Sequence, residues 1–174
     1  ATSNIIEAGA GADTIRGGDG NDTLYGYFSD NSYGYSTEGD DLLYGEAGDD
    51  TLVGGAGDDT LDGGLGSDIL TGDGGSSDYE RGGAQGTDTF VLRAGDGGSD
   101  EASADTITDF TDGADVLGLA GGLQYSQLTI DQGSGDYAND TLVSVTSTSE
   151  YLAVLQGISA SNVTEEDFQP LPIA

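Results

Sequence analysis

Apolar side chains recur along the first half of the chain at intervals of nine residues, each between two residues of polar or mixed character. One inward-facing side chain flanked by two outward-facing ones is the pattern of a very short β-strand. The pattern therefore predicts a series of three-residue strands around a thin core. The predicted inward-facing residues are Ile15, Leu24, Leu43, Leu52, Leu61, Leu70 and Phe90.

The residues between these strands are rich in glycine and aspartate, and they repeat with the same period of nine. We number the nine places of a copy so that the fullest ones, residues 54–62 and 63–71, begin Gly-Gly-x-Gly and carry aspartate at place six and an apolar residue at place eight. Glycine at places one, two and four predicts a six-residue turn that enters the left-handed region at little cost. The seven good copies are residues 8–16, 17–25, 36–44, 45–53, 54–62, 63–71 and 83–91.

The interval between Asp22 and Asp41 is 19 residues, which is one period plus ten. We therefore expect an excursion at about residues 27–35 that bulges from one turn. Tyrosines cluster within or beside it, and they fit either packing over the side of the roll or an exposed patch for sugars or another partner. These tyrosines are Tyr25, Tyr27, Tyr33, Tyr35 and Tyr44.

A second irregular interval separates Asp68 from Asp88, which lie 20 residues apart, or two periods plus two. We expect one degenerate repeat in this gap, beginning at Gly72. Ser77 or Asp78 would take place six in that repeat.

The charge of the chain restricts its partners. Three Lys and Arg residues against 33 Asp and Glu give a formal charge of −30, which disfavours nucleic acid and favours cations. Cys and His are absent, so disulfides, thiolate or imidazole zinc sites and His-dependent nucleophiles are excluded. No apolar run approaches the roughly 18 residues of a membrane span. One aliphatic residue per nine is too little to offset the ordering of the backbone.

The nonapeptide pattern resembles the RTX, or haemolysin-type calcium-binding, repeat over residues 8–91. The resemblance implies an all-β fold, a right-handed parallel β-roll of nonapeptide repeats with a small β-rich C-terminal cap. We expect the roll at residues 1–93 and the cap at residues 94–174. In such a roll, turns 18 residues apart lie one above the other, so Asp41 is expected to face Asp59.

Carboxylate and main-chain carbonyl oxygens between stacked turns suit Ca²⁺ better than Mg²⁺, which demands a tighter octahedron. We expect about five to seven Ca²⁺ ions on that coordination preference. The neighbouring Asp40, Asp49 and Asp58 at place five fit solvated turn residues better than ligands. The expected aspartate ligands in the repeats are Asp13, Asp22, Asp41, Asp50, Asp59, Asp68 and Asp88. The expected glycine carbonyl ligands are Gly18, Gly20, Gly39, Gly48, Gly55, Gly57, Gly64, Gly66 and Gly86.

The nine-residue phase ends after Val91. Residues 105–119 resemble a segment that often follows the repeats in this family, and there Asp105 and Asp109, with Asp115, are either ligands of a further Ca²⁺ or ordinary turn aspartates. Short antiparallel strands are predicted at residues 128–131, 141–145 and 151–155, and a short helix at residues 159–168.

The resemblance implies a calcium-binding module of an exported bacterial protein. Such a chain stays unfolded in the cytosol, passes a type I secretion apparatus and folds outside the cell, with its secretion signal in the last ~50 residues. An adhesive module that binds polysaccharide or a cell surface is the first alternative. A non-catalytic tail of an extracellular protease, lipase or epimerase is the second. The sequence has no H-E-x-x-H, G-x-S-x-G or P-loop motif, and we expect no catalysis.

Overall fold

The computed structural model describes residues 2–27, 39–74 and 86–172. The regular structure in these residues is almost entirely β. Its strands are β1 (Ile5–Glu7), β2 (Thr14–Asp19), β3 (Thr23–Tyr25), β4 (Leu42–Ala47), β5 (Thr51–Val53), β6 (Thr60–Leu65), β7 (Ile69–Thr71), β8 (Thr89–Leu92), β9 (Asp105–Ile107), β10 (Val116–Leu119), β11 (Leu128–Gln132), β12 (Thr141–Val145), β13 (Glu150–Leu155) and β14 (Phe168–Pro170). Single 3-10 turns lie at Glu101–Ser103, Tyr125–Gln127, Gly135–Tyr137 and Glu165–Asp167.

The strands form two sheets, and from β1 to β10 successive strands alternate between them. The eight-stranded sheet has the order β1-β3-β5-β7-β9-β13-β12-β11, and the six-stranded sheet has the order β14-β10-β8-β6-β4-β2. Each strand from β1 to β10 pairs in parallel with the strand two further along the chain. The fold is therefore a parallel β-roll, as predicted.

The core of the roll is one column of side chains between the two sheets. All seven residues predicted to face inward are at most 5% exposed. Their neighbours at places seven and nine point outward, for example Leu42, which is 38% exposed beside the fully buried Leu43. This alternation explains why a strand of three residues, with one apolar side chain, is enough for each half of a coil.

Two long segments of the chain each occupy a single turn. β4 pairs directly with β2, and β8 pairs directly with β6, so residues 26–41 and residues 72–88 contribute no strand of their own to either sheet. The degenerate repeat expected at Gly72 is therefore wrong as a coil of the roll. Ser77 and Asp78, like Tyr33 and Tyr35 of the excursion, lie outside the described residues.

The parallel sheets continue past residue 93, where the cap was expected to begin. β9 lies beside β7, β10 beside β8, and the C-terminal β14 beside β10, all in parallel. β13 pairs in parallel with β9 and is then followed outward by β12 and β11 in antiparallel order, which confirms the three predicted strands. The C-terminal residues thus supply the last coil of the roll together with an antiparallel extension.

The helix predicted at residues 159–168 is wrong. In its place Thr164 caps one 3-10 turn, Glu165–Asp167, and the chain then enters β14 at Phe168. Phe168 packs into the same core as the leucines of the roll, so burying this aromatic beside β10 takes precedence over a helical turn pattern. No helix within residues 2–27, 39–74 and 86–172 is long and apolar enough to cross a membrane.

Candidate metal sites at the two edges of the roll

Aspartates at place six line both edges of the roll, where the chain turns from one sheet to the other. On each edge, successive coils stack these residues in the order of the chain. We call the two sets the first and second aspartate columns. The first column contains Asp22, Asp50, Asp68 and Asp105, and the second contains Asp13, Asp41, Asp59, Asp88 and Asp115.

Hydrogen bonds connect neighbouring members of each column. The main-chain N–H of Asp41 donates to Oδ1 of Asp59 over 2.8 Å, so the expected facing of these two residues is confirmed. The corresponding bonds are Asp50 to Asp68 at 2.8 Å, Asp13 to Asp41 at 2.7 Å, Asp22 to Asp50 at 2.6 Å, Asp59 to Asp88 at 2.9 Å, Asp68 to Asp105 at 3.1 Å and Asp88 to Asp115 at 3.0 Å. One carboxylate oxygen of each acceptor is thereby used to set the register between coils.

The second carboxylate oxygen is the unusual feature of these columns. In five members Oδ2 is buried and has no hydrogen-bond partner: Asp22, Asp50, Asp59, Asp68 and Asp88. Each of these residues is only 1–2% exposed. Buried polar atoms are almost always paired, and an unpaired buried charge costs several kcal/mol on the order of a broken ion pair. Five orphaned oxygens in equivalent positions indicate a missing positive partner.

The space beside each orphaned oxygen is bounded by glycine at place one. A Cβ placed on Gly17 would lie 2.6 Å from Oδ2 of Asp22 and 2.9 Å from the carbonyl oxygen of Gly45 in the next coil. Gly45, Gly54, Gly63 and Gly72 stand in the same relation to Oδ2 of Asp50, Asp59, Asp68 and Asp88. None of these five glycines has a positive φ, so the absence of a side chain serves the space and not the backbone.

The candidate glycines from the sequence occupy places two and four. Gly18, Gly55 and Gly64 at place two, and Gly20, Gly48, Gly57 and Gly66 at place four, all have φ between 96° and 144°. Place four also permits close stacking, because a Cβ on Gly48, Gly57 or Gly86 would touch the carbonyl oxygen of Gly20, Gly39 or Gly57 in the preceding coil. The structure therefore gives these glycines a role in turn geometry and coil spacing. The carbonyl oxygens that it places beside Oδ2 belong to place one, which the sequence interpretation did not select.

Burial and mutual repulsion disfavour the charged form of the column aspartates. Burial raises the pKa of Asp59 to about 7, against the N–H of Asp41, which lowers it. Burial likewise raises the pKa of Asp68 to about 6 and that of Asp88 to about 8, with neighbouring carboxylates adding to each shift. The pKa of Asp105 is raised well above its usual value, again chiefly by burial. A cation beside these groups would restore the charged form.

The aspartates after residue 91 have different surroundings. Asp105 is buried and continues the first column in register with Asp68. Asp109 does not join a column: its Oδ1 accepts the N–H of Gly72 and its Oδ2 accepts the N–H of Asp73, each at 2.9 Å. Asp115 ends the second column, since its Oδ2 accepts the N–H of Thr111 at 2.7 Å. The structure thus separates Asp105 from Asp109 and does not bring them to one site.

Place five carries a second ladder that the sequence interpretation missed. Oδ1 of Asp40 accepts the N–H of Asp58 at 3.0 Å, and Oδ1 of Asp58 accepts the N–H of Thr87 at 2.8 Å. On the other edge Asn21 and Asp49 accept from the next coil in the same way. Here the acceptor lies in the earlier coil, whereas at place six it lies in the later one. These exposed side chains hold the coils together without facing the cradles.

The donor set at each cradle suits Ca²⁺. Among the described residues no three acidic side chains converge on one point, and the oxygens beside each orphaned Oδ2 are main-chain carbonyls. Ca²⁺ accepts mixed carboxylate and carbonyl oxygens at 2.3–2.6 Å, and its geometry is tolerant. The groups that would hold it are Oδ2 of the column aspartates and the place-one carbonyls. The ion would supply the charge that these buried carboxylates lack.

A parallel β-roll whose edge turns combine stacked aspartates with glycine cradles belongs to the class of calcium-type β-rolls. The family model for the RTX calcium-binding nonapeptide repeat matches the chain in four copies, over residues 1–33, 35–70 and 44–77. These residues are therefore RTX calcium-binding nonapeptide repeats, as the sequence indicates. No curated protein sequence matches the chain.

Two solved structures show the same architecture. The AlgE6R2 subunit of the mannuronan C5-epimerase from Azotobacter vinelandii is 25% identical with a TM-score of 0.55, covering 97% of this chain and 98% of that subunit. The extracellular lipase LipA from Serratia marcescens is 22% identical with a TM-score of 0.54, covering 89% of this chain. The chain spans only 20% of the lipase, so the likeness to the lipase concerns the fold alone.

Proposed function

We propose that the chain is a module that folds when Ca²⁺ binds between stacked turns along both edges of the roll. The observation that carries this proposal is the set of five buried, unpartnered Oδ2 atoms, each facing a cradle with a carbonyl oxygen. A ligand that binds only the folded state stabilises it by mass action. Without the ion, the same carboxylates oppose folding through burial and mutual repulsion.

The number of ions follows from the same geometry. Each orphaned Oδ2 marks one cradle, which gives five sites, two of them beside Asp59 and Asp88 in the second column. Asp41 has an equivalent neighbour in Gly26, and Asp105 extends the first column, so the proposed range remains five to seven. Asp109 is outside this set, because main-chain N–H groups use both of its oxygens.

The proposed setting is outside a bacterial cell, after export through a type I secretion apparatus. A chain with a charge of −30 and one core residue per nine remains expanded where Ca²⁺ is scarce, and an expanded chain can pass a narrow exporter. It then folds where Ca²⁺ is plentiful. The extracellular lipase with the same fold supports this setting.

As a module, the chain fits the non-catalytic part of an extracellular enzyme. The two similar structures come from a lipase and from a subunit of an epimerase, and the likeness to the epimerase subunit covers both chains almost completely. The proposed role of the roll is therefore to stabilise and support secretion of a protein of which it is a part. Its partners are Ca²⁺ ions and, during export, the secretion apparatus.

Small-angle scattering with and without chelator tests the proposal. In saturating Ca²⁺ the chain should be compact, near the radius of gyration of about 16 Å expected for 174 residues, or somewhat larger because a roll is elongated. In EDTA the radius should rise toward the about 44 Å of an unfolded chain. Native mass spectrometry of the compact form should show at least five bound Ca²⁺. A compact chain in EDTA, or fewer than three bound ions, would overturn the proposal.

A further inference from the structure

The N-terminal end of the roll carries features that face a preceding coil everywhere else. At place four, a Cβ on Gly48 would touch the carbonyl oxygen of Gly20, and one on Gly66 would touch that of Gly48. Gly11 holds the same place in the first turn of the second column, and a Cβ there would meet nothing within 4 Å. The space that a carbonyl group fills beside the later glycines is open beside Gly11.

Asp13 repeats this observation at place six. Oδ1 of Asp41 accepts the N–H of Asp13, and Oδ1 of Asp22 accepts the N–H of Asn4, so each later aspartate receives a donor from the coil before it. No described residue donates to the carboxylate of Asp13, although its position in the column is the same. Asp13 is therefore an acceptor prepared for an N–H that a preceding coil would supply.

The strands at this end are also unpaired on one side. β1 and β2 are the terminal strands of the two sheets. At place seven, the N–H groups of Leu42 and Thr60 donate to the preceding coil at Asp13 and Asp41. Thr14 is the place-seven residue of β2, and by the same alternation its N–H points away from β4. Ile5, on β1, is 75% exposed. Unpaired edges of this kind are the usual site of strand addition.

The path of the first residues shows where a preceding coil would enter. The N–H of Thr2 donates to the carbonyl of Asp19, just as Gly20 donates to Ala47 and Gly48 to Leu65. Thr2 thus occupies place four, and residues 1–7 are places three to nine of a repeat with Asn4 at place six and Ile6 at place eight. In later coils, this turn follows a strand of the six-stranded sheet. The backbone at residue 1 therefore leads toward the unpaired edge of β2.

We propose that the N-terminal end of the roll is a docking surface for one further nonapeptide coil of the same polypeptide, joined ahead of residue 1. Its strand would lie parallel to β2 and accept the N–H of Thr14. Its turn would place a carbonyl over Gly11 and an N–H on the carboxylate of Asp13. A second copy of the chain cannot supply this contact from its described repeats, because the turns of those repeats are already stacked on their own neighbours.

An extended chain tests this inference, which goes beyond calcium-dependent folding. A copy of residues 45–64 placed ahead of residue 1 supplies two whole repeats and the first two places of a third, so the phase of nine continues into Ala1. The matched control carries the same twenty residues in reverse order. Amide exchange of Thr14 is then compared by NMR in saturating Ca²⁺, with Val143 in β12 as an internal reference that the extension does not touch.

The extension in phase should slow exchange at Thr14 by at least about tenfold, which corresponds to about 1.4 kcal/mol of local protection. The reversed extension should leave Thr14 as fast as in the original chain. Exchange of Val143 should be equal in all three. If the extension in phase does not slow Thr14, or if the reversed extension slows it equally, the docking surface is rejected. A loss of protection at Val143 in the original chain would instead count against calcium-dependent folding.

Discussion

The main-chain N–H of Asp59 donates to Oδ1 of Asp88 over 2.9 Å, although 29 residues separate the two aspartates. Asp41 and Asp59 make the same bond over 18 residues, at 2.8 Å. The additional eleven residues, 29 minus 18, lie in the turn between Gly72 and Asp88 and leave the ladder undisturbed. The aspartate column thus determines which coil follows which, independently of how long the intervening turn is.

Replacing Asp59 by alanine should impair calcium binding strongly. The change removes the acceptor of the Asp41 N–H and one orphaned Oδ2, so it takes away both a buried hydrogen bond and a proposed ligand. A hydrogen bond to a charged group contributes about 1.5–3 kcal/mol, which corresponds to about a tenfold or larger rise in the Ca²⁺ midpoint. Far-ultraviolet circular dichroism during a Ca²⁺ titration measures that midpoint.

Asp58→Ala is the matched control for Asp59→Ala. Asp58 is exposed and accepts only the N–H of Thr87, so its loss should shift the midpoint by less than about threefold. Equal effects of the two substitutions would show that place six has no special relation to the ion.

Gly54→Ala tests the cradle separately from the aspartate. Gly54 has no positive φ, so alanine is permitted by the backbone, but its Cβ would lie against Oδ2 of Asp59 and 2.8 Å from the carbonyl oxygen of Gly72. We expect one fewer bound Ca²⁺ by native mass spectrometry. Thr60→Ala, at an outward-facing place in the same coil, should keep the full number. An unchanged count in Gly54→Ala would place the ion elsewhere.

Two adjacent leucines of β4 should differ sharply in their contribution to stability. Leu43 is fully buried between the sheets, and Leu43→Ala should lower the free energy of unfolding in saturating Ca²⁺ by about 2–5 kcal/mol. Leu42 is 38% exposed on the outer face, and Leu42→Ala should cost less than about 1 kcal/mol. Urea denaturation of both variants measures the difference. Similar losses would contradict a core limited to place eight.

The raised pKa values predict that acid partly replaces calcium. Without Ca²⁺ the pKa values of Asp68, Asp59 and Asp88 are about 6, 7 and 8 in the folded chain, and each would be near 3.8 when unfolded. The folded state then binds more protons, so its stability is complete below about pH 3.8 and is lost as the pH rises through 6 to 8.

Circular dichroism in EDTA should therefore show more β structure at pH 4.5 than at pH 8. Calcium binding at pH 7.5 should release protons, which calorimetry detects as a dependence of the binding heat on the ionisation enthalpy of the buffer. A metal-free chain that is better folded at pH 8 than at pH 4.5 would contradict the burial of these carboxylates.

The nine-residue period was sufficient to predict the inner column and the stacking of turns 18 residues apart, because each depends on one residue type at a fixed phase. Leu52 and Asp50 show this: one must face the core and the other the edge for the repeat to close. The period could not predict how residues 72–88 are used. A glycine at 72 looks the same whether it begins a new coil or a long turn, and only the pairing of β8 with β6 distinguishes the two.

The roles of the glycines were predicted less well than their positions. Gly54 is required by the space beside a carboxylate and Gly57 by a positive φ and a neighbouring carbonyl, but both read as turn glycines in the sequence. The signal at place one was present, since glycine stands there before Asp22, Asp50, Asp59 and Asp68, whereas Glu46 with a φ of 77° occupies place two. Tertiary contacts between coils are needed to interpret that signal.

Circular dichroism during a Ca²⁺ titration of the metal-free chain, with Mg²⁺ as the control ion, tests the central claim most directly. The account predicts a cooperative gain of β structure in the millimolar range with Ca²⁺, its reversal by EDTA, and no comparable gain with Mg²⁺, because the cradles combine few carboxylates with main-chain oxygens. Identical β spectra in Ca²⁺ and in EDTA, or an equal response to Mg²⁺, would contradict it.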